Sequence, residues 1–325
     1  MLNGTHGVWS MVLAAGDGTR LAALTVDSQG QSVPKQFCSL RGKSSLLQGA
    51  LGRAAHVAAP ERVCTIVADK HRRHWEPMLK GLPPENIVVQ PRNCGTATGI
   101  LLSVLAILDR DPLARIVFLP ADHYVQDEAA LAAALDMMVA QLRRHEDQLL
   151  LLGIKPEEAD AELGYIVPGP QGASGVHAVA HFVEKPSVER ARSLLGEGAL
   201  WNSFIFAVHG ATLLGLMRER MPDTVRAMET ALARDAIHRG GGALEALYRE
   251  LPQLDFSREI VQGAEDRLRV VASAPCGWTD LGTPKRVIET LRRQRPTRTS
   301  WRRAIAMAPA VVSLAKQRVL LQMVG

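Results

Sequence analysis

The sequence predicts an α/β fold: a mostly parallel central sheet with helices on both faces, and a partly antiparallel second half. Three observations predict it. Apolar runs of strand length alternate with helix-length segments through about the first 155 residues. Beyond that point the alternation loosens into short β-type runs and several helices. The composition, 47% hydrophobic but 4% aromatic over 325 residues, suits Ala-, Leu- and Val-rich helices packed on an interior sheet.

Each element has its own reason. "VWSMVLAAG" (8–16) is a continuous apolar run closing on glycine, a buried strand ending in a turn. "SSLLQGALGRAAHVA" (44–58) repeats its apolar residues at helical spacing. "RVCTIVAD" (62–69) reads as a strand, "HRRHWEPMLKGL" (71–82) as a helix and "NIVVQP" (86–91) as a strand. "TATGILLSVLAILDRD" (96–111) is a helix and "ARIVFLPADH" (114–123) a strand. "EAALAAALDMMVAQLRRHE" (128–146) is a long amphipathic helix in which Met137 and Met138 belong to the core, and "QLLLLGI" (148–154) is a strand. "GYIVPG" (164–169) and "VHAVAHFVEKP" (176–186) read as antiparallel strands around a Gly-rich turn. Helices follow at 187–198, 210–221, 223–240 and 242–251, then a strand in "RLRVVASAP" (267–275) and a last helix from Pro284. There is no repeat and no long linker, so one mixed domain is expected, with its ligand at the carboxyl ends of the parallel strands.

Composition excludes several classes. Cys38, Cys64, Cys94 and Cys276 are far apart and form no C-x-x-C pair, against a zinc site or disulfide framework and in favour of a reducing compartment. No signal-peptide pattern and no apolar stretch of about 20 residues is seen, so no stable membrane insertion and a cytoplasmic location are the expectations. The net charge of +5 belongs to the end of the chain. Residues 292–325 hold eight Lys/Arg and no acid, which leaves the first 291 residues at −3. A nucleic-acid partner is therefore not expected, because no basic face sits on the fold itself.

The chemistry begins in "VLAAGDGTRL" (12–21), a glycine turn that carries its own cation. A dinucleotide fingerprint fails because Leu21 replaces its third glycine, and a P-loop fails because Phe37 stands where "GKS" (42–44) would need the first one. What remains is a loop whose backbone N–H groups nest an anion, with the Arg20 fork as a clamp on phosphate oxygens. Lys35 in "PKQF" adds a point charge. Asp122 in "FLPADHYV" ends an apolar strand and Asp280 lies in "GWTDLG". Two such carboxylates can share Mg2+ with phosphate oxygens.

In this order the motifs are those of a known family. "LAAGDGTRL", "PKQF", "QPRNCGTATGI", "LPADH", "GYI", "FVEKP", "WNSFIF" and "GWTDLG", spread over residues 12–282, resemble the sugar-1-phosphate nucleotidyltransferases. "PKQF", "P-x-DH" and "WNS" look most like the mannose-1-phosphate guanylyltransferase branch. The resemblance implies a Rossmann-like, glycosyltransferase-A-like fold. It implies transfer of a nucleotidyl group from GTP to mannose 1-phosphate by in-line attack, giving GDP-mannose and pyrophosphate without a covalent intermediate. The nucleophile is already an anion near neutral pH, so positioning and charge suffice. Carried over by motif, Gly16 and Gly18 lie against the nucleotide, and Arg20 and Lys35 bind the triphosphate and leaving pyrophosphate. Gln90 and Asn93 fall in the base-reading segment. Asp122 and Asp280 hold Mg2+, and Lys185 binds the sugar phosphate. Glu184 and Asn202 bind sugar hydroxyls, and the backbone at Gly164 approaches the sugar.

The chain departs from the pattern in three places. No proline follows "RL", Phe204 stands where glycine is common, and Gln90 stands where glutamate is common. Phe204 reshapes the sugar pocket. A glutamine both donates and accepts, so it suits uracil or thymine as well as guanine. UTP or dTTP with glucose 1-phosphate therefore stays open. A non-catalytic nucleotide-sugar sensor would be expected to have lost Arg20, Lys35 or one aspartate, and all four residues are present. His71 and His74 in "HRRH" read as a solvated helix face, Gly240 to Gly242 as a flexible loop, and Cys94 carries no sign of a reactive thiolate. The catalytic domain is expected over 1–291 and a basic, partly helical tail over 292–325, broken by Pro309. Three roles stay open for the tail: packing on the body, joining two copies into a homodimer, or resting on acidic lipid.

Overall fold

A computed structural model describes residues 7–293, apart from residues 23, 28, 41, 43, 173–174 and 239–241. Gly240 and Gly241 of the expected loop, and the tail from residue 294 onward, lie outside the described residues.

The strands are β1 (Val8–Leu13), β2 (Val63–Ala68), β3 (Ile87–Gln90), β4 (Arg115–Pro120), β5 (Leu149–Ile154), β6 (Tyr165–Gln171), β7 (His177–Val183), β8 (Leu200–His209) and β9 (Leu268–Ala272). They form one sheet in the order β3-β2-β1-β4-β8-β5-β9-β7-β6, with β8 also pairing β6. The half from β3 to β4 is parallel throughout. At β8 the direction reverses: it runs antiparallel to β4, β5 and β6. The pairs β6–β7 and β7–β9 are antiparallel too, while β5–β9 is parallel.

Helices cover both faces. Alternate residues of a strand point to opposite sides, so Val8 and Val12 of β1 enter one core while Trp9 and Met11 enter the other. The first core is closed by α1 (Leu46–Val57), the short α2 (Arg72–Trp75), α4 (Glu128–Gln141) and α5 (Val188–Gly196). The second is closed by α3 (Thr96–Leu108), α6 (Gly210–Arg220), α7 (Pro222–His238) and α8 (Ala243–Glu250). The last helix, α9 (Pro284–Arg293), packs with Leu21, Leu46 and Leu281 in a small third cluster. Local chemistry starts the helices where the pattern places them. Ser45 and Gln48 form a reciprocal capping box on α1, and the Asp127 carboxylate caps α4.

Four readings of the sequence are corrected. β8 is the central strand of the sheet, yet periodicity placed helices on either side of "LWNSFIFAVH" and no strand there. The segment 71–82 holds only one α-helical turn, followed by a 3-10 turn over Glu76–Met78. His71 and His74 are half-buried against the Phe37 ring, and His74 stacks on it at 5.6 Å. Met138 is fully buried, but its neighbour Met137 is 42% exposed.

β8 escapes recognition because it is bulged. Leu151 faces Phe206 and Gly153 faces Asn202, so two residues of β5 span four of β8. The polar residues that spoil the β pattern satisfy this bulge. The Asn202 side chain accepts from the Phe204 N–H (3.1 Å) and the Ser203 hydroxyl from the Ile205 N–H (3.1 Å). The Ser203 hydroxyl in turn donates to the Leu152 carbonyl at 2.6 Å.

The start of α3 is fixed by a close backbone approach. Gly95 has φ +90°, and a Cβ there would lie 2.2 Å from the Leu254 carbonyl oxygen. Leu254 donates to the Cys94 carbonyl (3.0 Å) and accepts from Ala97 (3.0 Å). Gly95→Ala is expected to cost about 2 kcal/mol or more in urea unfolding, through strain and a backbone clash together. A loss below about 0.5 kcal/mol would contradict this packing.

Candidate functional site

One cleft opens at the carboxyl ends of β1, β2, β3 and β4. It is lined there by Leu13 at the end of β1, Ala15, Gly16 and Arg20 after it, Ile66 of β2, Gln90 of β3, and Pro120 and Asp122 at the end of β4. Asn93 and the first turn of α3 form one wall. Gly164, Glu184, Lys185, Asn202 and Phe204 form the opposite one, and Asp280 closes the base beside Trp278.

The loop after β1 is locked to "PKQF" residue by residue. Gly18 has φ +64°, and a Cβ there would stand 3.0 Å from the Lys35 nitrogen, so glycine is required for packing. Gly18 does not line the cleft; its place is behind the loop, against Pro34 and Lys35. The Gln36 side chain donates to the carbonyls of Ala14 (3.0 Å) and Gly16 (2.7 Å). Phe37 is buried beneath His71 and His74. Arg20 remains on the exposed side, paired only loosely with Glu162 at 3.3 Å.

Lys35 does not reach the open cleft directly. Its buried ammonium donates to the Asp280 carbonyl at 2.6 Å and pairs with the Asp122 carboxylate at 3.0 Å. The two aspartates are neighbours because the backbones around them are zipped together. Tyr124 and Thr279 exchange two N–H···O bonds of 2.9 Å, and Gln126 and Asp127 both donate to the Cys276 carbonyl. The Asp280 carboxylate is bound by the Arg286 guanidinium of α9, which also holds Asp160.

Burial alone would raise both carboxyls. Burial is the largest single influence on each, but neighbouring charges and hydrogen bonds together exceed it, led by Lys35 for Asp122 and by Arg286 for Asp280, so both lie below the usual carboxylate range and stay ionised. Glu184 differs: burial pushes its carboxyl up, only partly offset by Lys185 at 3.5 Å. Burial lowers His123 to about 4. Its Nδ1 accepts from the Trp278 indole N–H at 3.3 Å, so the neutral ring carries its proton on Nε2, toward Asp122.

Ionised Asp122 and Asp280, hard oxygen donors that both line the cleft, fit a hard divalent cation. Among the described residues no cluster of three or more His, Cys, Asp or Glu could hold a metal unaided. Two carboxylates plus ligand phosphate oxygens is therefore the set these residues offer.

Among the described residues three non-glycine positions have positive φ, and they gather at this site: Lys185 (47°) and Phe204 (58°) line the cleft, and Leu281 (51°) follows Asp280. Each costs roughly 1–2 kcal/mol, held in place by its surroundings. Leu281, next to Asp280, is anchored by burial with Leu21 and Val287.

Of the twelve residues singled out from the sequence, all but Gly18 and Lys35 line this cleft. Gln90 is buried, its Oε1 has no partner, and it faces Gly99 of α3. The Asn93 side chain accepts from the Gly95 N–H at 2.9 Å. A Cβ on Gly164 would lie 2.6 Å from the Glu184 carboxylate. Sequence reasoning missed Gln36, His123, Asp255, Ser257 and Trp278. Asp255 and Ser257 enter beside a single π-helical turn at Ser257–Val261, which no periodicity announces. Cys94 is fully buried.

Residues 9–295 match the family model described as nucleotidyl transferase. The chain is 31% identical over 289 residues to the xanthan biosynthesis protein XanB of Xanthomonas campestris, covering 85% of this chain and 58% of that protein. It is 30% identical over 294 residues to the mannose-1-phosphate guanylyltransferase RfbM of Salmonella typhimurium, covering 84% and 56%. The chain thus spans less than three fifths of the length of these curated relatives. A solved structure from Thermus thermophilus, named mannose-1-phosphate geranyltransferase, superposes with a TM-score of 0.76 at 32% identity, over 89% of this chain and 80% of that one. A UDP-glucose pyrophosphorylase solved with UDP-glucose shares the fold, with a TM-score of 0.57 at 14% identity, over 88% of this chain and 98% of that one.

The buried neutral His123 sets a pH dependence. Unfolded, the ring takes a proton near pH 6.5; folded, only near 4. Its contribution to stability is therefore complete above pH 6.5 and is lost as pH falls toward 4. Urea unfolding with a chelator present is expected to show wild type losing about 1–3 kcal/mol more than His123→Gln across that window. His71 and His74, lowered by burial as well, are common to both proteins. Equal slopes would contradict the assignment.

Proposed function

The chain belongs to the nucleotidyl transferase family, and on that premise we propose that it joins a nucleoside triphosphate to a hexose 1-phosphate, with GTP and mannose 1-phosphate as the substrates. One observation carries the proposal. The cations Arg20, Lys35 and Lys185 and the ionised pair Asp122 and Asp280 gather around one cleft at the carboxyl ends of the parallel strands. That is the equipment for holding two phosphorylated substrates in line.

An oxygen of the sugar phosphate attacks the α-phosphorus of the triphosphate. The new P–O bond forms as the bond to the β-phosphate oxygen breaks, and pyrophosphate leaves with the electron pair. The attacking oxygen is already anionic, so no side chain has to remove a proton. The neutral His123 is consistent with that, since a base poised near pH 7 is not needed. Gly16 and the loop N–H groups receive the phosphates, and Arg20 closes on them from the exposed side. Lys35 contributes a fixed positive charge against Asp122. Lys185 orients the sugar phosphate, while Glu184, Asn202 and the Gly164 backbone take the sugar hydroxyls. Asp122 and Asp280 would hold Mg2+, which supplies charge neutralisation to the phosphate oxygens when bound.

At the base end, Gln90 presents a buried, unpartnered amide oxygen. This acceptor suits the N–H of a guanine Watson–Crick edge, and equally that of uracil or thymine. UTP or dTTP with glucose 1-phosphate is the second reading that Gln90 supports. The location is proposed as the cytoplasm, where these substrates would be met.

Pyrophosphate release with Mg2+ and a panel of four nucleoside triphosphates against mannose, glucose and N-acetylglucosamine 1-phosphates tests the reading. The highest kcat/KM is expected for GTP with mannose 1-phosphate. No release with any pair would overturn the function, and a preference for UTP or dTTP would overturn the guanylyl assignment alone. Arg20 is 54% exposed, and Glu162 is its partner, so Arg20→Ala should change stability by less than about 1 kcal/mol. It should lower kcat/KM roughly 100- to 1,000-fold. An unchanged kcat/KM would remove Arg20 from the site.

A further inference from the structure

We propose that Phe204 sets the selectivity for the sugar, as an aromatic wall that admits a hexose 1-phosphate bearing only hydroxyls and excludes one carrying an acylamino group. The inference rests on the functional reading above and names its substrate class.

Three independent features place the ring. Phe204 is half-buried and lines the cleft on the wall that carries Asn202, Gly164 and Glu184. Its backbone is held at φ +58°, a conformation that a bulky side chain rarely adopts. That conformation is over-determined by the bulge: the N–H of Phe204 is bound by Asn202, and the next N–H by Ser203, which is itself anchored to Leu152. The ring then stands edge-on to Phe206 (6.2 Å) and Phe256 (6.0 Å). Phe206 and Phe256 are stacked at 4.9 Å and fully buried, so they give Phe204 a rigid backing.

The ring's position matters because of what surrounds it. Phe256 is flanked by Asp255 and Ser257, both of which line the cleft. Asp255 and Ser257 also act on the Glu184 carboxyl, the first by charge and the second by a hydrogen bond. The wall is therefore a rigid apolar surface framed by hydroxyl-binding groups. Such a surface packs on the C–H face of a sugar ring, while Glu184, Asn202 and Ser257 take its hydroxyls. A planar acylamino substituent brings extra heavy atoms and an N–H donor. Those extra atoms can be admitted only if the Phe204 ring yields, and the bulge bonds and the stacked Phe206–Phe256 pair behind it hold the ring in place.

Backbone strain separates this role from ordinary packing. Glycine tolerates the positive φ and removes the ring, alanine removes the ring but keeps the strain, and leucine keeps the bulk. Phe204→Gly, Phe204→Ala and Phe204→Leu are compared with wild type for kcat/KM with mannose 1-phosphate and with N-acetylglucosamine 1-phosphate, alongside thermal unfolding. The expected result is that the ratio of the two kcat/KM values falls at least tenfold in the glycine and alanine variants. It stays within threefold of wild type for leucine. The glycine variant melts no lower than the alanine variant. A ratio unchanged in Phe204→Gly, with wild type active, overturns the inference alone. A wild type that turns over no hexose 1-phosphate overturns the functional reading and this inference with it.

Discussion

The site is organised by one buried cation. The Lys35 ammonium joins three segments that are remote in sequence: its own "PKQF" turn, the end of β4 through Asp122, and the "GWTDLG" turn through the Asp280 carbonyl. Placing a charge in a half-dry site is costly unless it is paired. Here one carboxylate and one carbonyl answer it. In return, the charge holds Asp122 in its ionised form against burial. Without Lys35, Asp122 would lose its only lysine or arginine pairing among the described residues.

Much else follows from that arrangement. The glycine loop can hold its shape only if it packs on the Lys35 backbone, which is why Gly18 admits no side chain and Gln36 ties down two loop carbonyls. The Asp280 turn must put a carbonyl on Lys35 and a carboxylate on Arg286 at once. It does so with Leu281 at positive φ, anchored in the cluster beneath the loop. Lys185 and Phe204 carry the same kind of strain across the cleft. The fold thus concentrates its unfavourable backbone where ligands would bind, on a scaffold of two well-filled cores.

The parallel half of the sheet was legible in the sequence because β1, β2 and β4 are almost wholly buried apolar runs and α1 and α3 have a clear helical period, although the helix expected between β2 and β3 shrinks to one turn. The position of Arg20, Lys35, Asp122, Lys185 and Asp280 near one another was legible only through the motif resemblance. Nothing in local pattern links Lys35 to a residue 245 positions away. β8 was not legible for the opposite reason: Asn202 and Ser203 serve the bulge rather than the β alternation, so the hub of the sheet looks like a polar interruption. His71 and His74 look solvated because two arginines lie between them, and only tertiary packing on Phe37 buries them. Gln36 had a single faint signal, its place beside Lys35.

The central claim is that Lys35 and Asp122 act as one unit in assembling the site. A double-mutant cycle of Lys35→Met and Asp122→Asn in urea unfolding measures it directly. A coupling energy above about 1 kcal/mol, with the double variant more stable than the single effects would sum to, is the result predicted. Additive effects within about 0.3–0.5 kcal/mol would contradict it.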